Sequence, residues 1–236
     1  MNPGHCAIPS GGQGVRPSAL LFDLDGTLVD TAQDLSTAAN AARRSCGLPA
    51  LPVERIAAFV GQGAEVLMRR ALADDPDRSA HADRLAEAMR VFEAAYARCN
   101  GELSKLYPGV LQGLGRLRDA GLPMAVVTNK PQRFSEALLE RMKLTTFFRF
   151  VQGGDVVAHR KPHPEPLWQA IGQLGSTPTQ TCMLGDSRND ALAARAAGVR
   201  ILLVTYGYNE GRDPRDENCD GLVSDVDAFA QRMLEP

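Results

Sequence analysis

Asp23-Leu24-Asp25-Gly26-Thr27 puts two carboxylates one residue apart at the end of an apolar run, where their charges repel. An Asp or Asn after a strand ordinarily forms a turn or caps a helix. An acidic pair at a strand end carries an electrostatic cost that neither role offsets, so chemistry is the better explanation. Further polar groups come after later apolar runs: Thr128-Asn129-Lys130, then His159-Arg160-Lys161-Pro162-His163-Pro164, then Gly185-Asp186-Ser187-Arg188-Asn189-Asp190. If those runs are neighbouring parallel strands, the groups meet at one sheet edge, because such sheets bind ligands beyond the carboxyl ends of their strands.

Carboxylates gathered with a hydroxyl and an amine suit a divalent cation and a phosphoryl group. Asp23, Asp25 and Asp186 can share a site if a hard cation lies among them, and magnesium typically takes a few such oxygens plus a substrate phosphate oxygen. Asp23 is the expected nucleophile, attacking phosphorus in line to form an aspartyl phosphate that water then hydrolyses. Asp25 is the expected general acid for the leaving alkoxide and general base for that water. Thr128 and the backbone amide of Asn129 are expected to donate to phosphoryl oxygens. Lys161 is expected to offset the charge of both Asp23 and the phosphoryl group, on a loop stiffened by Pro162 and Pro164. His159 and His163 have no third histidine nearby and read as loop residues, not metal ligands.

The elements that must position these groups show in the hydrophobic pattern. Short apolar runs at Ala19–Phe22, Met124–Val127, Phe148–Val151, Thr181–Leu184 and Ile201–Val204 alternate with helical segments. That rhythm predicts βαβ units and an α/β fold, a parallel sheet covered by helices on both faces. Between Asp34 and Leu106 there is only helical periodicity, with Leu35, Ala38, Ala39 and Ala42 on one face and Leu85, Met89, Phe92 and Tyr96 on another. Residues 34–105 are therefore expected to be an all-helical insert standing over the acidic strand end, in a core made of 18–33 and 106–236. Residues 1–17, rich in Gly, Pro and Ser, are expected to be a flexible tail, and they lack the basic start and apolar stretch of a secretory signal. Gly207 to Asp220 reads as a polar surface loop before a last helix near Asp225–Met233.

The 236 residues are 44% hydrophobic with a net charge of −2, enough for a substantial core and without the basic stripe that nucleic-acid binding requires. Five scattered cysteines, never spaced CxxC, argue against a disulfide framework or a cysteine zinc site and favour a reduced cytoplasm. No apolar run approaches the ~20 residues of a membrane helix, so no membrane partner is expected. The chain is expected to act on a small molecule, as a monomer or homodimer.

On these residues the sequence resembles the haloacid dehalogenase superfamily of phosphatases, through "DLDGT" (Asp23 to Thr27), "VVTNK" with Thr128, "RKPHPEP" with Lys161, and "GDSRND" with Asp186 and Asp190. The resemblance implies a Rossmann-like core and an inserted helical cap. It further implies magnesium held by Asp23, the main chain of Asp25 and Asp186, with Asp190 supporting that site. Within the superfamily the chain is most similar to phosphoglycolate phosphatases, through "DTAQDL", "FVGQGAEVLMRRAL", "YPGV" and "GGDVVAHRKPHPEPL". The expected reaction is hydrolysis of 2-phosphoglycolate to glycolate and phosphate. A phosphatase for a sugar phosphate such as N-acetylmuramic acid 6-phosphate, or a hexose-phosphate mutase, would keep the same core chemistry. A signalling receiver domain also phosphorylates an Asp near a Thr and a Lys, but the first-strand acceptor, Asp25 and the helical insert argue against it. In the cap, Gly61-Gln62-Gly63 at a helix start could bring backbone amides to a substrate carboxylate, with Arg69 or Arg70 assisting.

Overall fold

A computed structural model describes residues 16–73 and 84–235. The first stretch holds β1 (Ala19–Phe22), β2 (Val29–Asp30), α1 (Ala32–Ser45), α2 (Val53–Ala57) and α3 (Ala64–Ala73). Next come α4 (Leu85–Cys99), β3 (Lys105–Leu106), α5 (Val110–Asp119), β4 (Met124–Val127), α6 (Gln132–Arg141) and β5 (Val151–Gln152). The chain closes with α7 (Glu165–Gln173), β6 (Thr181–Gly185), α8 (Arg188–Ala197), β7 (Arg200–Val204), β8 (Leu222–Val223) and α9 (Val226–Leu234). Of the expected tail, all but Arg16 and Pro17 lies outside the described residues; Arg16 donates to the Ala120 carbonyl at 3.0 Å.

Six strands pair in the order β5-β4-β1-β6-β7-β8, every pair parallel. Continuous apolar runs form the inner strands because both faces are covered. Leu20, Phe22, Met124 and Val126 pack with α5, α6 and α9 through Leu114, Leu138 and Phe229. Leu21, Ala125, Val127 and Met183 face α7 and α8 through Leu167, Ile171 and Ala194. β1 is central, and Phe22 lies level with Val126 and Leu184. Residues just beyond those three strand ends, Asp23, Thr128 and Asp186, therefore emerge side by side at the point where strand order diverges.

The strand expected at Phe148–Val151 lies further along, at Val151–Gln152. Phe148 is instead a partly buried wedge against the core, its ring 5.8 Å edge-on from that of Phe22. β2, β3 and β8 were not expected, since two residues are too few to display alternation.

Helices α1 to α4 pack around a separate apolar cluster that includes Ala38, Ala42, Ile56, Met68, Phe92 and Tyr96. The buried face of α4 is Ala88, Phe92, Ala95 and Tyr96, with Leu85 and Met89 only partly covered. Phe134 of α6 joins this cluster, its ring 5.0 Å from that of Tyr96 in an edge contact. Entry to and exit from the helical insert are tied by one buried carboxylate. Asp34, in the first turn of α1, accepts the backbone N–H groups of Gly101, Leu103 and Ser104, each at 3.0 Å, and the Ser104 hydroxyl. Nearby, Asp30 and Lys105 pair across the β2–β3 ladder.

Replacing Asp34 by Ala leaves those donors unsatisfied in a buried setting, which costs about 3 kcal/mol of stability. Asp34→Asn, keeping one oxygen acceptor, costs less. Urea unfolding of the three proteins measures both, and equal midpoints for wild type and Asp34→Ala would remove the clamp from consideration.

Candidate active site

The turn after β1 is built so that backbone can crowd a carboxylate. Leu24 accepts the N–H groups of Leu28 at 3.0 Å and Val29 at 3.1 Å, and Gly26 donates to Val29 at 2.9 Å. Gly26 has φ +87°, and a Cβ there would lie 2.4 Å from Asp186 Oδ2. Gly207, beyond β7, has φ +97° and presses on the same side chain, where a Cβ would lie 2.6 Å from Asp186 Oδ2. Only glycine meets both the backbone angle and the approach.

Lys161 Nζ sits between two acids, 2.9 Å from Asp23 Oδ1 and 2.7 Å from Asp190 Oδ1, and donates to the Val127 carbonyl at 2.7 Å. Asp190 is fully committed. Its Oδ2 accepts the Ser187 hydroxyl at 2.7 Å and the Ser187 N–H at 3.1 Å, closing the N-terminus of α8 in a capping box. Asp186 accepts Thr27 Oγ1 at 3.2 Å on one oxygen and the Tyr208 N–H at 2.8 Å on the other. Asp23, Asp186 and Asp190 are all buried and offer oxygens within 4.8 Å of one another.

Burial pushes the Asp23 carboxyl up to about 6; Lys161 opposes that rise and Asp190 adds to it. Burial, then Asp190 and Asp23, drive Asp186 well above the usual carboxylate range. Burial disfavours charge on Lys161, but Asp190 and Asp23 hold its ammonium above the ordinary lysine range. Ionising all three carboxylates against one ammonium would leave two negative charges, which is why burial holds Asp23 and Asp186 toward their neutral forms. A divalent cation balances that excess, and all-oxygen donors suit a hard one. Asp190 is the most heavily committed, with three donors on Oδ2 and the Lys161 ammonium on Oδ1, so Asp23 and Asp186 have more capacity for it, while Asp190 holds Lys161 and the α8 turn in place.

The Asp25 side chain stands apart from that acidic trio. It accepts Thr31 Oγ1 at 2.7 Å and faces Lys130 Nζ at 2.9 and 3.2 Å. Lys130, buried, also donates to the Tyr96 hydroxyl at 2.5 Å and lies 4.6 Å over the Tyr96 ring centroid. Tyr208 links the two acid groups. Its N–H holds Asp186, while its hydroxyl receives the Thr31 N–H at 2.7 Å and donates to Asp30 at 2.8 Å. Thr31, Tyr96, Lys130 and Tyr208 were given no site role by the sequence, although Lys130 stood in the polar run after β4 and Tyr96 on the apolar face of its helix. The signal that could have found Tyr208 is its place a few residues beyond the carboxyl end of β7, the position relative to a strand that marks Asp23, Thr128 and Asp186.

Asp23, Asp25, Thr128, Asn129 and Lys130 line a cavity whose other wall is Leu35, Val60, Gly61, Gly63, Ala64, Leu67, Phe92 and Tyr96 of the helical insert. Asn129 lines it, but its side chain is occupied elsewhere. Its Nδ2 donates at 2.8 Å to both the Gly61 and Lys161 carbonyls, and its Oδ1 accepts the Lys161 N–H at 2.9 Å. Gly61 and Gly63 reach the cavity wall just before α3. Gln62 does not: its amide donates to Glu210 at 2.6 Å, and Arg70 joins the same carboxylate at 3.0 Å. Arg69, expected to assist with substrate, is instead on the solvent face of α3, paired with Glu65 one turn before it. The helical phase that turns Leu67, Met68 and Ala71 inward carries Arg69 out.

A parallel sheet with this acid–lysine cluster beneath a helical cap defines a hydrolase of the Rossmann-like α/β class. The chain belongs to the haloacid dehalogenase-like hydrolase family, whose model matches residues 20–204. It is 45% identical over 224 residues to a phosphoglycolate phosphatase of Pseudomonas putida strain KT2440, covering 94% of this chain and 82% of that one. Identity to a phosphoglycolate phosphatase of Nitrosospira multiformis is 43% over 205 residues, covering 87% and 90% respectively. Among solved structures, that of a predicted phosphoglycolate phosphatase from Haemophilus somnus 129pt superposes with a TM-score of 0.88 at 31% identity, covering 94% of this chain and 99% of that one.

Gly26→Ala forces either a left-handed alanine, costing about 1–2 kcal/mol, or a displaced Asp186. The expected outcome is a lowered thermal midpoint, together with a weaker response of that midpoint to added divalent cations than the wild type gives. A wild-type midpoint in Gly26→Ala would show that the turn accepts a side chain without pressing on Asp186.

Proposed function

We propose that the protein is a magnesium-dependent phosphatase that hydrolyses 2-phosphoglycolate to glycolate and phosphate. The observation that carries this reading is the buried trio Asp23, Asp186 and Asp190 around Lys161, which outnumbers its one ammonium three to one, opening beside a cavity lined by Asp23, Asp25 and Thr128. The substrate assignment is supported by the phosphoglycolate phosphatases to which the chain is similar. Asp23 and Asp186, with the main chain of Asp25, would hold the magnesium, which when bound neutralises the crowded oxygens and polarises the phosphoryl group.

Asp23 attacks phosphorus in line, forming an aspartyl phosphate and releasing the alkoxide. Lys161, fixed by Asp190 and the Val127 carbonyl, stabilises charge on the nucleophile and phosphoryl oxygens. Thr128 and the amide of Asn129 donate to those oxygens. Asp25 hands its proton to the leaving oxygen, then removes one from the water that cleaves the intermediate. Lys130 and Thr31 orient Asp25 for both steps. At the far end of the cavity, the backbone of Gly63 and Ala64 at the start of α3 is the proposed seat of the substrate carboxylate. Cap and core divide near residues 33/34 and 105/106 in this reading, where Asp34 ties the two chain crossings. A cytoplasmic setting fits Cys46, Cys99, Cys182 and Cys219, all free thiols.

A panel of phosphate monoesters assayed with Mg2+ should rank 2-phosphoglycolate first in kcat/KM, and EDTA should abolish turnover until Mg2+ is restored. Sugar phosphates outranking it would replace the substrate assignment. Asp23→Asn should abolish turnover of every ester while the protein stays folded by circular dichroism; retained activity would sink the nucleophile. Asp25→Asn should slow alkyl phosphates by about 10²–10⁴-fold and p-nitrophenyl phosphate far less, since its leaving group scarcely needs a proton. An equal loss on both would count against the acid role.

A further inference from the structure

The loop that carries Lys161 inward carries two histidines outward. His159 and His163 flank Lys161 at two residues on either side, and both imidazoles are exposed. Their rings stack with centroids 4.3 Å apart. In place of the third histidine that the sequence lacks, α7 begins at Glu165 and brings its carboxylate back against both rings. Glu165 Oε2 lies 2.6 Å from His159 Nδ1 and 4.0 Å from His163 Nδ1. The other oxygen, Oε1, is held at 2.9 Å by the Gln169 amide one turn along α7, so the carboxylate is oriented by a neighbour that would not itself bind an ion. The Glu165 N–H donates to His163 Nδ1 at 3.2 Å, which ties that ring to the start of α7. Donor atoms of all three residues lie within 4.8 Å of one another. Two ligands each about 2.0–2.2 Å from a zinc ion stand at most about 4.4 Å apart, so small side-chain rotations close this set on one ion.

We propose that His159, His163 and Glu165 form a second metal site, for a borderline divalent transition ion of the zinc or nickel kind, separate from the carboxylates beneath the cavity. Two imidazoles and one carboxylate select such ions over magnesium, which prefers oxygen donors alone. Solvent supplies the remaining ligands, since the trio opens onto a surface groove also lined by Glu65, Asp155 and Arg160. Occupancy staples the two flanks of the loop whose centre positions Lys161. The site does not depend on the phosphatase reading, because none of its three residues belongs to that chemistry.

The sole tryptophan of the chain, Trp168, lies on α7 three residues after Glu165 and is half exposed, which gives a local reporter. Tag-free protein in excess Mg2+ is titrated with Ni2+ by calorimetry and by Trp168 fluorescence. One saturating equivalent with quenching of Trp168, reversed by excess Zn2+, is expected for wild type and for Asp186→Asn. His159→Ala/His163→Ala, whose exposed positions leave the fold intact by circular dichroism, should lose both signals. The proposal is overturned if wild type shows no saturation up to about 1 mM Ni2+, if the double variant binds as wild type does, or if Asp186→Asn abolishes the quenching.

Discussion

The ammonium of Lys161 is held between Asp23 and Asp190 with almost no access to water. Burying ions is expensive, and a buried pair is tolerated only with close geometry and its remaining polar atoms satisfied. Here the satisfaction is unequal. Asp190 has the N-terminal turn of α8 and Lys161 around it, and Lys161 has a third partner in the Val127 carbonyl. Asp23 and Asp186 have fewer donors, and burial raises both carboxyls. Asp23 and Asp186, which face one another across adjacent strands β1 and β6, are therefore the acids that most need a cation nearby to stay ionised. The rest of the site is arranged by the need to hold those groups still.

Parallel order supplies most of the holding. With β4 and β6 on either side of β1, a hydroxyl, the carboxylate proposed as nucleophile and a further carboxylate leave the sheet within a residue of the same level. Glycine backbones at 26 and 207 close on Asp186 where a side chain could not fit. Tyr208 then couples Asp186 to Thr31, and Thr31 couples to Asp25, so the carboxylate proposed to hold the ion and the one proposed to move protons share a hydrogen-bonded frame. Such frames matter because electrostatic stabilisation works only when the dipoles are fixed before charge develops.

The core strands and their polar ends were legible because each signal was local: an apolar run leading into residues whose types make sense only together. The helical insert was legible as an absence of period-2 alternation. What the sequence did not disclose depends on contacts between distant segments. Lys130 was visible beside Thr128, yet its pairing with Asp25 and Tyr96 requires α4 and β4 to meet, and no spacing rule connects residues 96 and 130. Arg69 failed for the opposite reason. Its helix was foreseen, but at ~100° per residue one position decides between cavity and solvent, and the phase was set by Leu67 and Met68 packing inward. The buried face of α4 likewise includes Ala88 and Ala95, small residues that let a neighbouring helix approach, where hydrophobicity alone favoured Leu85 and Met89.

Contacts across the cavity separate into two kinds. Lys130 to Tyr96, Asn129 to the Gly61 carbonyl, and Gln62 and Arg70 to Glu210 are polar and join the insert to the core near the proposed chemistry. Water can replace each partner at small net cost, since an exchanged hydrogen bond is worth only about 0.5–1.5 kcal/mol. Phe134 is different: its ring belongs to the insert's apolar cluster, and withdrawing it exposes carbon to water at roughly 25 cal/mol per Å². Asp34 ties the crossing points themselves and has no reason to release. A swing of the insert that widened the cavity would cost least if it pivoted on Asp34, kept Phe134 near its cluster and traded the polar contacts for water. Lys130 would leave Tyr96 in such a motion but stay with Asp25, so the acid proposed to transfer protons would keep its counter-charge.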